Sequence, residues 1–307
     1  MAHIPVLLQE VISIFDPKPG EHFIDATIGE GGHAKAILER TAPSGALLGI
    51  DRDQSQLDIA RENLASFGKR AMFRQGSFGN VETLVKQEGI KELRWSGILF
   101  DFGWGQAQME KAGRGLSFIK DEPLDMRYEV MSNVKAQMSK AGNVLTAGRI
   151  LNEWSENEIE KILKEYSQER FAQSIARSII RIRKENPIQS TFQLVDAIKD
   201  ATPFWYHHRR IHPATKTFQA LRIAVNDELG ELKRAMEALP HIISKNGKAI
   251  FITFHSSEDR IVKNICKEFQ AKETGLMLTK KPITPSFLEI KANSRARSAK
   301  LRGFVFH

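Results

Sequence analysis

Three carboxylates and one glycine-rich turn carry the strongest chemical signal in the sequence. Gly29-Glu-Gly-Gly-His-Ala satisfies the G-x-G-x-x-A spacing of a nucleotide-binding strand-to-helix turn. Asp25 stands just before it, and Asp51 follows Gly31 by about 20 residues, a separation that suits a ribose-hydroxyl acceptor. Asp101 closes a further apolar run, Gly97-Ile-Leu-Phe. Glycines also occur in ordinary turns, and the spacing alone admits a dinucleotide. Charge separates the ligands. A nicotinamide dinucleotide brings an anionic pyrophosphate to this turn, whereas S-adenosyl-L-methionine brings an ammonium and a sulfonium beside one carboxylate. In an open α/β sheet the ligand sits outside the carboxyl ends of the strands, so Asp25 and Asp101 should both face it. An acidic floor attracts the cationic donor and repels pyrophosphate, which points to methyl transfer.

Asp101 suits a second task. The lone pair of an aromatic exocyclic amine is delocalised into its ring, and a hydrogen-bond acceptor on the amine favours the tetrahedral, nucleophilic geometry. Asp101-Phe-Gly-Trp is loosely similar to the Asp-Pro-Pro-Tyr tetrapeptide of amino-methyltransferases, which sets a stacking aromatic three residues after the acceptor. Trp104 either stacks on an extruded base or packs an insertion against the sheet.

The elements that must position these groups alternate through the first half of the chain. His22–Thr27, Ala46–Asp51, Arg70–Gln75 and Gly97–Gly103 read as strands, with helices opening at Ala34 and running from Gln54 to Phe67. The fourth strand is apolar without alternation, as expected of a parallel strand covered on both faces. The pattern predicts a doubly wound, Rossmann-like α/β sheet. It stops from Trp104 to about Gly148, a long stretch without a sustained period. Helices follow, one marked by Phe171, Ile175, Ile179 and Ile182, the next by Phe192, Val195 and Ile198 after a Ser190 or Thr191 cap. After His212-Pro, the series Phe218, Leu221, Val225, Leu229, Leu232, Met236 and Leu239 predicts one long helix, ended at Asn246-Gly. Lys248–His255 reads as the fifth strand, Ser256 or Ser257 as the cap of the following helix, and Leu276–Thr279 and Arg302–Phe306 as the last strands. The expected organisation is a sheet domain over 1–105 and 212–307, split by a loop and helical insertion over 106–211.

Composition bounds the setting. The net charge of +8, from 45 Lys plus Arg against 37 Asp plus Glu, favours a polyanionic partner. No apolar run approaches the roughly 20 residues of a bilayer span, and no secretory signal opens the chain, so a cytoplasmic protein without membrane contact is expected. The single cysteine, Cys266, builds neither a disulfide nor a zinc site, and His212 and His255 lack partners at ligand spacing, so no metal is expected. Arg295, Arg297, Lys300 and Arg302 form one basic cluster and His207-His-Arg-Arg a second, each suited to phosphates or to a solvated face.

Longer motifs add a family. His3-Ile-Pro-Val-Leu-Leu-Gln-Glu, Asp25-Ala-Thr-Ile-Gly-Glu-Gly-Gly-His, Gly49-Ile-Asp-Arg-Asp and Arg114-Gly-Leu-Ser-Phe come first. Pro123-Leu-Asp-Met-Arg, Glu169-Arg-Phe-Ala and His212-Pro-Ala-Thr-Lys-Thr-Phe-Gln-Ala-Leu-Arg follow. Phe254-His-Ser-Ser-Glu-Asp-Arg and Asn293-Ser-Arg-Ala-Arg-Ser-Ala-Lys-Leu-Arg complete the series. With these the chain resembles the RsmH family, also called MraW, of 16S rRNA cytosine-N4 methyltransferases along almost its entire length. The resemblance implies a class I S-adenosylmethionine-dependent fold with a helical insertion, and methylation of a cytidine in the decoding region of small-subunit rRNA. It implies donor contacts at Gly31, Gly32, His33, Asp51, Phe78, Asp101 and Gln108, while the amine-acceptor argument makes Asp101 the candidate catalytic residue. Trp104, His212, Lys216, His255, Arg295 and Arg297 are the candidates for the RNA side. The chain departs from the family after the fourth strand: Asp-Leu-Gly-Val-Ser-Ser-Pro-Gln becomes Asp101-Phe-Gly-Trp-Gly-Gln-Ala-Gln, which keeps the donor-binding Asp and Gln positions. Lys216 replaces the usual arginine, keeping charge but losing bidentate geometry. Two other readings stay open. An assembly factor could keep the fold without turnover, and a nicotinamide-dependent oxidoreductase would fit the glycine spacing but not the acidic strand ends.

Overall fold

A computed structural model describes residues 4–87, 89–103, 113–128 and 144–307. The chain forms two compact units, Met1–Gly103 with Leu229–His307, and Trp104–Glu228.

The first unit is a seven-stranded sheet built from β1 (His22–Asp25), β2 (Leu47–Asp51), β3 (Ala71–Gln75), β4 (Trp95–Asp101), β5 (Ile243–Thr253), β6 (Gly275–Met277) and β7 (Lys300–Phe306). Their order is β3-β2-β1-β4-β5-β7-β6, parallel except that β7 runs antiparallel to both of its neighbours. This is the doubly wound class I methyltransferase sheet. Successive strands march outward from β1 to β3 and then restart at β4, so the switch point lies between β1 and β4, at whose carboxyl ends open α/β sheets hold their ligands. Alternate residues of the strands serve two cores. Phe23, Leu47, Leu99 and Ile250 pack with α1 (Leu8–Phe15), α2 (Gly32–Arg40) and α3 (Gln54–Asn63) on one face. Ile24, Leu48, Phe100 and Phe251 pack on the other face with α4 (Val81–Val85) and two later helices. Burial on both faces is why these strands read as continuous apolar runs.

The second unit packs α5 (Ala147–Glu153), α6 (Glu156–Ser167), α7 (Ala172–Glu185), α8 (Thr191–Asp200), α9 (Phe204–His207) and α10 (Thr215–Asn226). Its core includes Ile150, Leu163, Ile175, Ile179, Leu194, Ile198 and Leu221. Ser155 and Ser190 open α6 and α8 with reciprocal capping boxes to Glu158 and Gln193. The irregular stretch 113–128 is tied to α8, since Thr191 N donates to Glu122 O at 3.0 Å and Glu122 N donates to Thr191 Oγ1 at 3.1 Å.

Several sequence expectations shift. The helix predicted over 218–239 is two helices, α10 and α11 (Glu228–Ile242), broken at Asp227, which takes the left-handed conformation at φ 50°. Phe218, Leu221 and Val225 bury in the core of the second unit, and Leu232, Met236 and Leu239 in the sheet. The insertion therefore extends past 212 to Glu228. Asn246-Gly does not precede β5 but lies within it as a bulge, where the partners change from Trp95 and Ile243 to Gly97 and Lys248. Phe192 is 44% exposed, and Leu194 takes its place in the core. Helix α12 (Ser256–Ala271) is capped by His255 rather than by Ser256 or Ser257. Among the described residues no helix is long and apolar enough to cross a membrane.

Candidate active site

The carboxyl ends of β1 and β4 are tied by one threonine. Thr27 Oγ1 accepts the backbone N–H of Asp101 at 2.7 Å, and Thr27 N donates to Asp25 Oδ1 at 3.3 Å. The Asp25 carboxyl and the Asp101 backbone are thereby held together at the switch point. Asp25 is 1% exposed. Burial pushes its pKa up to about 8, the backbone N–H of Thr27 works against the rise, and the neighbouring Asp101 and Asp51 add to it. Asp101 keeps 16% of its side chain open. Burial raises it to about 7, partly offset by the Gly103 N–H on its Oδ1 at 3.1 Å, and the Glu258 carboxylate adds to the rise. Burial also raises Asp51.

The glycine turn closes over this floor. Gly31 caps α2 at φ 86°, a left-handed geometry that L side chains rarely adopt. A Cβ on Gly32 would stand 2.3 Å from Pro5 Cγ, so the N-terminal segment lies directly on the turn. Other bonds hold that segment. Val6 O receives His33 Nε2 at 3.0 Å, Leu7 N donates to Glu289 Oε1 at 2.7 Å, and Asn293 Nδ2 donates to Ile4 O at 3.1 Å. His33, 6% exposed, turns Nδ1 toward Asp101 Oδ2 at 4.0 Å. Asp51 receives Gly29 N at 3.0 Å through Oδ2 and Asp53 N at 2.9 Å through Oδ1, which fixes its carboxylate beside the turn. The half-buried Phe78 starts a short turn capped by Ser77 and sets its ring edgewise on Phe102, centroids 5.4 Å apart. It forms an apolar wall next to the β4 terminus.

Past β5, His255 Nδ1 receives the Glu258 N–H at 3.4 Å, while Nε2 lies 2.9 Å from Glu258 Oε1. The Glu258 carboxylate also receives Phe254 N at 2.8 Å. His255 thus secures the start of α12, and the Phe254 ring packs within 2.8 Å of where a Cβ on Gly103 would stand.

The structure brings Gly31, Gly32, His33, Asp51, Phe78 and Asp101 together around the switch point. Gln108 and Trp104 lie outside the described residues. His212 and Lys216 belong to the second unit. His212 stacks on Phe118 with centroids 4.5 Å apart, and Lys216 Nζ donates to Gln168 O at 2.8 Å at the end of α6. Arg295 and Arg297 are exposed on the short turn Ser294–Ser298. The four-cation cluster is corrected in part: Arg302 is 5% exposed and donates to Asp259 at 2.7 and 3.2 Å, with Lys300 Nζ 3.6 Å from the same carboxylate. Thr27, Pro5 and Val6 were missed. Thr27 had a local signal in Asp25-x-Thr, an Asx-type turn; Pro5 and Val6 act across long sequence separations that spacing does not register.

A family model described as the MraW methylase family matches residues 1–306. The chain belongs to the MraW methylase family. Among curated relatives of this methylase, one from Geobacter sulfurreducens is 41% identical over 316 residues, covering 98% of this chain and 97% of its own. Another, from Dictyoglomus thermophilum, is 42% identical over 301 residues, covering 98% and 95%. Each relative is named ribosomal RNA small subunit methyltransferase H.

Proposed function

We propose that the chain transfers a methyl group from S-adenosyl-L-methionine to the N4 amine of a cytidine in the decoding region of 16S rRNA, acting on the small ribosomal subunit. The observation that carries this reading is the Asp101 carboxyl, partly open at the switch point, on a strand end whose backbone N–H is held by Thr27. Near-full-length similarity to relatives named for rRNA methylation supports the substrate class.

The residues present fit the donor. Asp25, Asp51 and Asp101 form an acidic end-wall whose burial disfavours charge, so a bound cation would gain attraction as they ionise. The same wall opposes a pyrophosphate. Gly31, Gly32 and His33 would border the donor's amino-acid end, Asp51 its ribose, and Phe78 its adenine. When bound, S-adenosylmethionine supplies an electrophilic methyl carbon on a sulfonium. Asp101, once ionised, would accept the hydrogen bond of the N4 amine, orient its lone pair toward the donor side and hold the proton that N4 gives up. Cys266 is buried at 1% exposure, and burial pushes its thiol up to about 12, so no thiolate serves as a nucleophile.

The test is transfer of labelled methyl from S-adenosylmethionine to small subunits lacking the modification, with Asp101→Ala in parallel. Label recovered as N4-methylcytidine and lost in the variant supports the assignment. No label, with donor and subunit binding intact, leaves the assembly-factor reading. Thermal protection by NAD instead of S-adenosylhomocysteine would favour the oxidoreductase.

A further inference from the structure

The second unit displays two large aromatics where an isolated fold would hide them. In the single turn of α9, Phe204 is 77% exposed and Trp205 is 50% exposed, whereas Tyr206 is 4% exposed. Tyr206 anchors the turn. Its hydroxyl donates into the carboxylate of Glu169, 3.0 and 2.8 Å from the two oxygens, and Glu169 Oε1 also receives Phe171 N at 2.9 Å. Thr202 Oγ1 and His207 Nε2, 2.9 Å apart, hold the other end. The outward rings are therefore fixed in place by an inward one. Exposed large apolar groups on a rigid support mark an interaction site.

The surroundings are cationic. The Arg170 guanidinium lies 5.7 Å from the Trp205 ring centroid, and Arg209 lies 5.3 Å from that of Tyr206. Arg209 and Arg210 are exposed, and the His208 ring meets Phe204 at 4.3 Å. The carboxylate of Glu169 is turned inward, onto Tyr206. We infer that this face is a stacking platform for single-stranded RNA, with Phe204 and Trp205 taking bases and Arg209 and Arg210 taking phosphates. Flat rings interleaved with guanidinium groups match a strand whose bases are unstacked, because every base offers a π-face and every linkage an anion. A duplex keeps its bases inside and would meet only the cations. This inference rests on the RNA methyltransferase reading and adds to it a recognition surface outside the donor site.

The test uses the full chain and a fluorescein-labelled, unstructured short RNA, with a duplex of the same strand for comparison. Phe204→Ala with Trp205→Ala should raise the Kd for the single strand about tenfold or more, leave the salt slope unchanged, and leave duplex binding nearly unaltered. Arg209→Ala with Arg210→Ala should instead reduce the salt slope by about one to two. Trp205→Phe should restore affinity to within about twofold, since it keeps the stacking face. Thermal melting should be unchanged in each variant, because the replaced side chains are exposed. Equal affinity of wild type and the double aromatic variant, or no binding of the single strand by wild type, overturns the platform. So does a loss seen only against phospholipid vesicles or ribosomal proteins. Methyl transfer to small subunits is measured alongside. Wild-type transfer with no aromatic effect on RNA affinity defeats the platform alone. An aromatic effect without any transfer defeats the methyltransferase reading alone.

Discussion

His33 Nδ1 stands 4.0 Å from Asp101 Oδ2, while the opposite nitrogen of the same ring is bonded to the carbonyl oxygen of Val6 at 3.0 Å. A carbonyl only accepts, so Nε2 donates to Val6 and Nδ1 is the ring nitrogen that faces the Asp101 carboxyl. His33→Gln keeps a donor for Val6 and removes the nitrogen that faces Asp101. Methyl transfer should then fall, with melting nearly unchanged. His33→Ala should also lose about 1–3 kcal/mol of stability through the unpaired Val6 carbonyl. Unchanged methyl transfer in His33→Gln would disprove a role for the ring in positioning Asp101.

The buried carboxyls set a pH dependence whose sign is fixed. Asp25 and Asp101, raised to about 8 and about 7, stay protonated in the fold where the unfolded chain has already ionised them. Their contribution to stability is fully present below about pH 4 and is lost as pH rises toward about 8. Without ligand, the melting temperature should fall across that window. Affinity for S-adenosylmethionine should rise over the same window, because the cation favours the ionised carboxyls. Asp25→Asn should flatten the ligand-free decline and weaken donor binding. Melting curves and donor titrations across the pH series decide it.

Gly32 has no room for a methyl group beside Pro5. Gly32→Ala should cost about 1–3 kcal/mol by overpacking and lower donor affinity as the N-terminal segment lifts from the turn. Pro5→Ala in the same chain removes the ring atoms it would strike, 2.3 and 3.2 Å away, and should recover most of both losses. If the second substitution restores neither, the contact does not hold the turn.

Arg302 and Arg295 share a short basic segment and should respond oppositely. Burial pushes the Asp259 carboxyl up, but the Arg302 hydrogen bonds and the Lys300 charge outweigh it and hold the pKa below the usual range. Arg302→Ala would strand that acid and should destabilise the fold by about 3–5 kcal/mol. Arg295→Ala with Arg297→Ala should leave melting within about 0.5 kcal/mol of wild type, as expected for exposed positions. It should weaken subunit binding and reduce its salt dependence. Chemical denaturation and subunit titration separate the two effects.

The sheet and the glycine turn were legible because their signals are local. Apolar runs such as Leu47–Ile50 and Ile98–Phe100 are buried on both faces, and the turn after β1 is marked by glycines. The break at Asp227 was not legible. Helical spacing continues from Val225 through Leu229 to Leu232, and periodicity cannot tell that the two halves enter different cores. The cap at His255 carries little signal, because serine is the stronger cap former and two serines follow it. The bonds of Ile4 and Leu7 to Asn293 and Glu289 join opposite ends of the chain, where no window of spacing reaches.

The placement of β5 has a consequence for synthesis. During translation β4 emerges with β1 beside it, but its other neighbour begins only at Ile243, after the whole second unit has been made. At roughly 5–20 residues per second, the apolar β4 edge waits on the order of ten seconds for its partner. An unpaired central strand is a template for aggregation, so the nascent chain is most exposed to misassembly in that interval. The second unit has its own core and can fold while the half-built sheet waits. Slowing elongation between the codons for Asp101 and Ile243 should therefore reduce yield more than the same delay placed after Thr253.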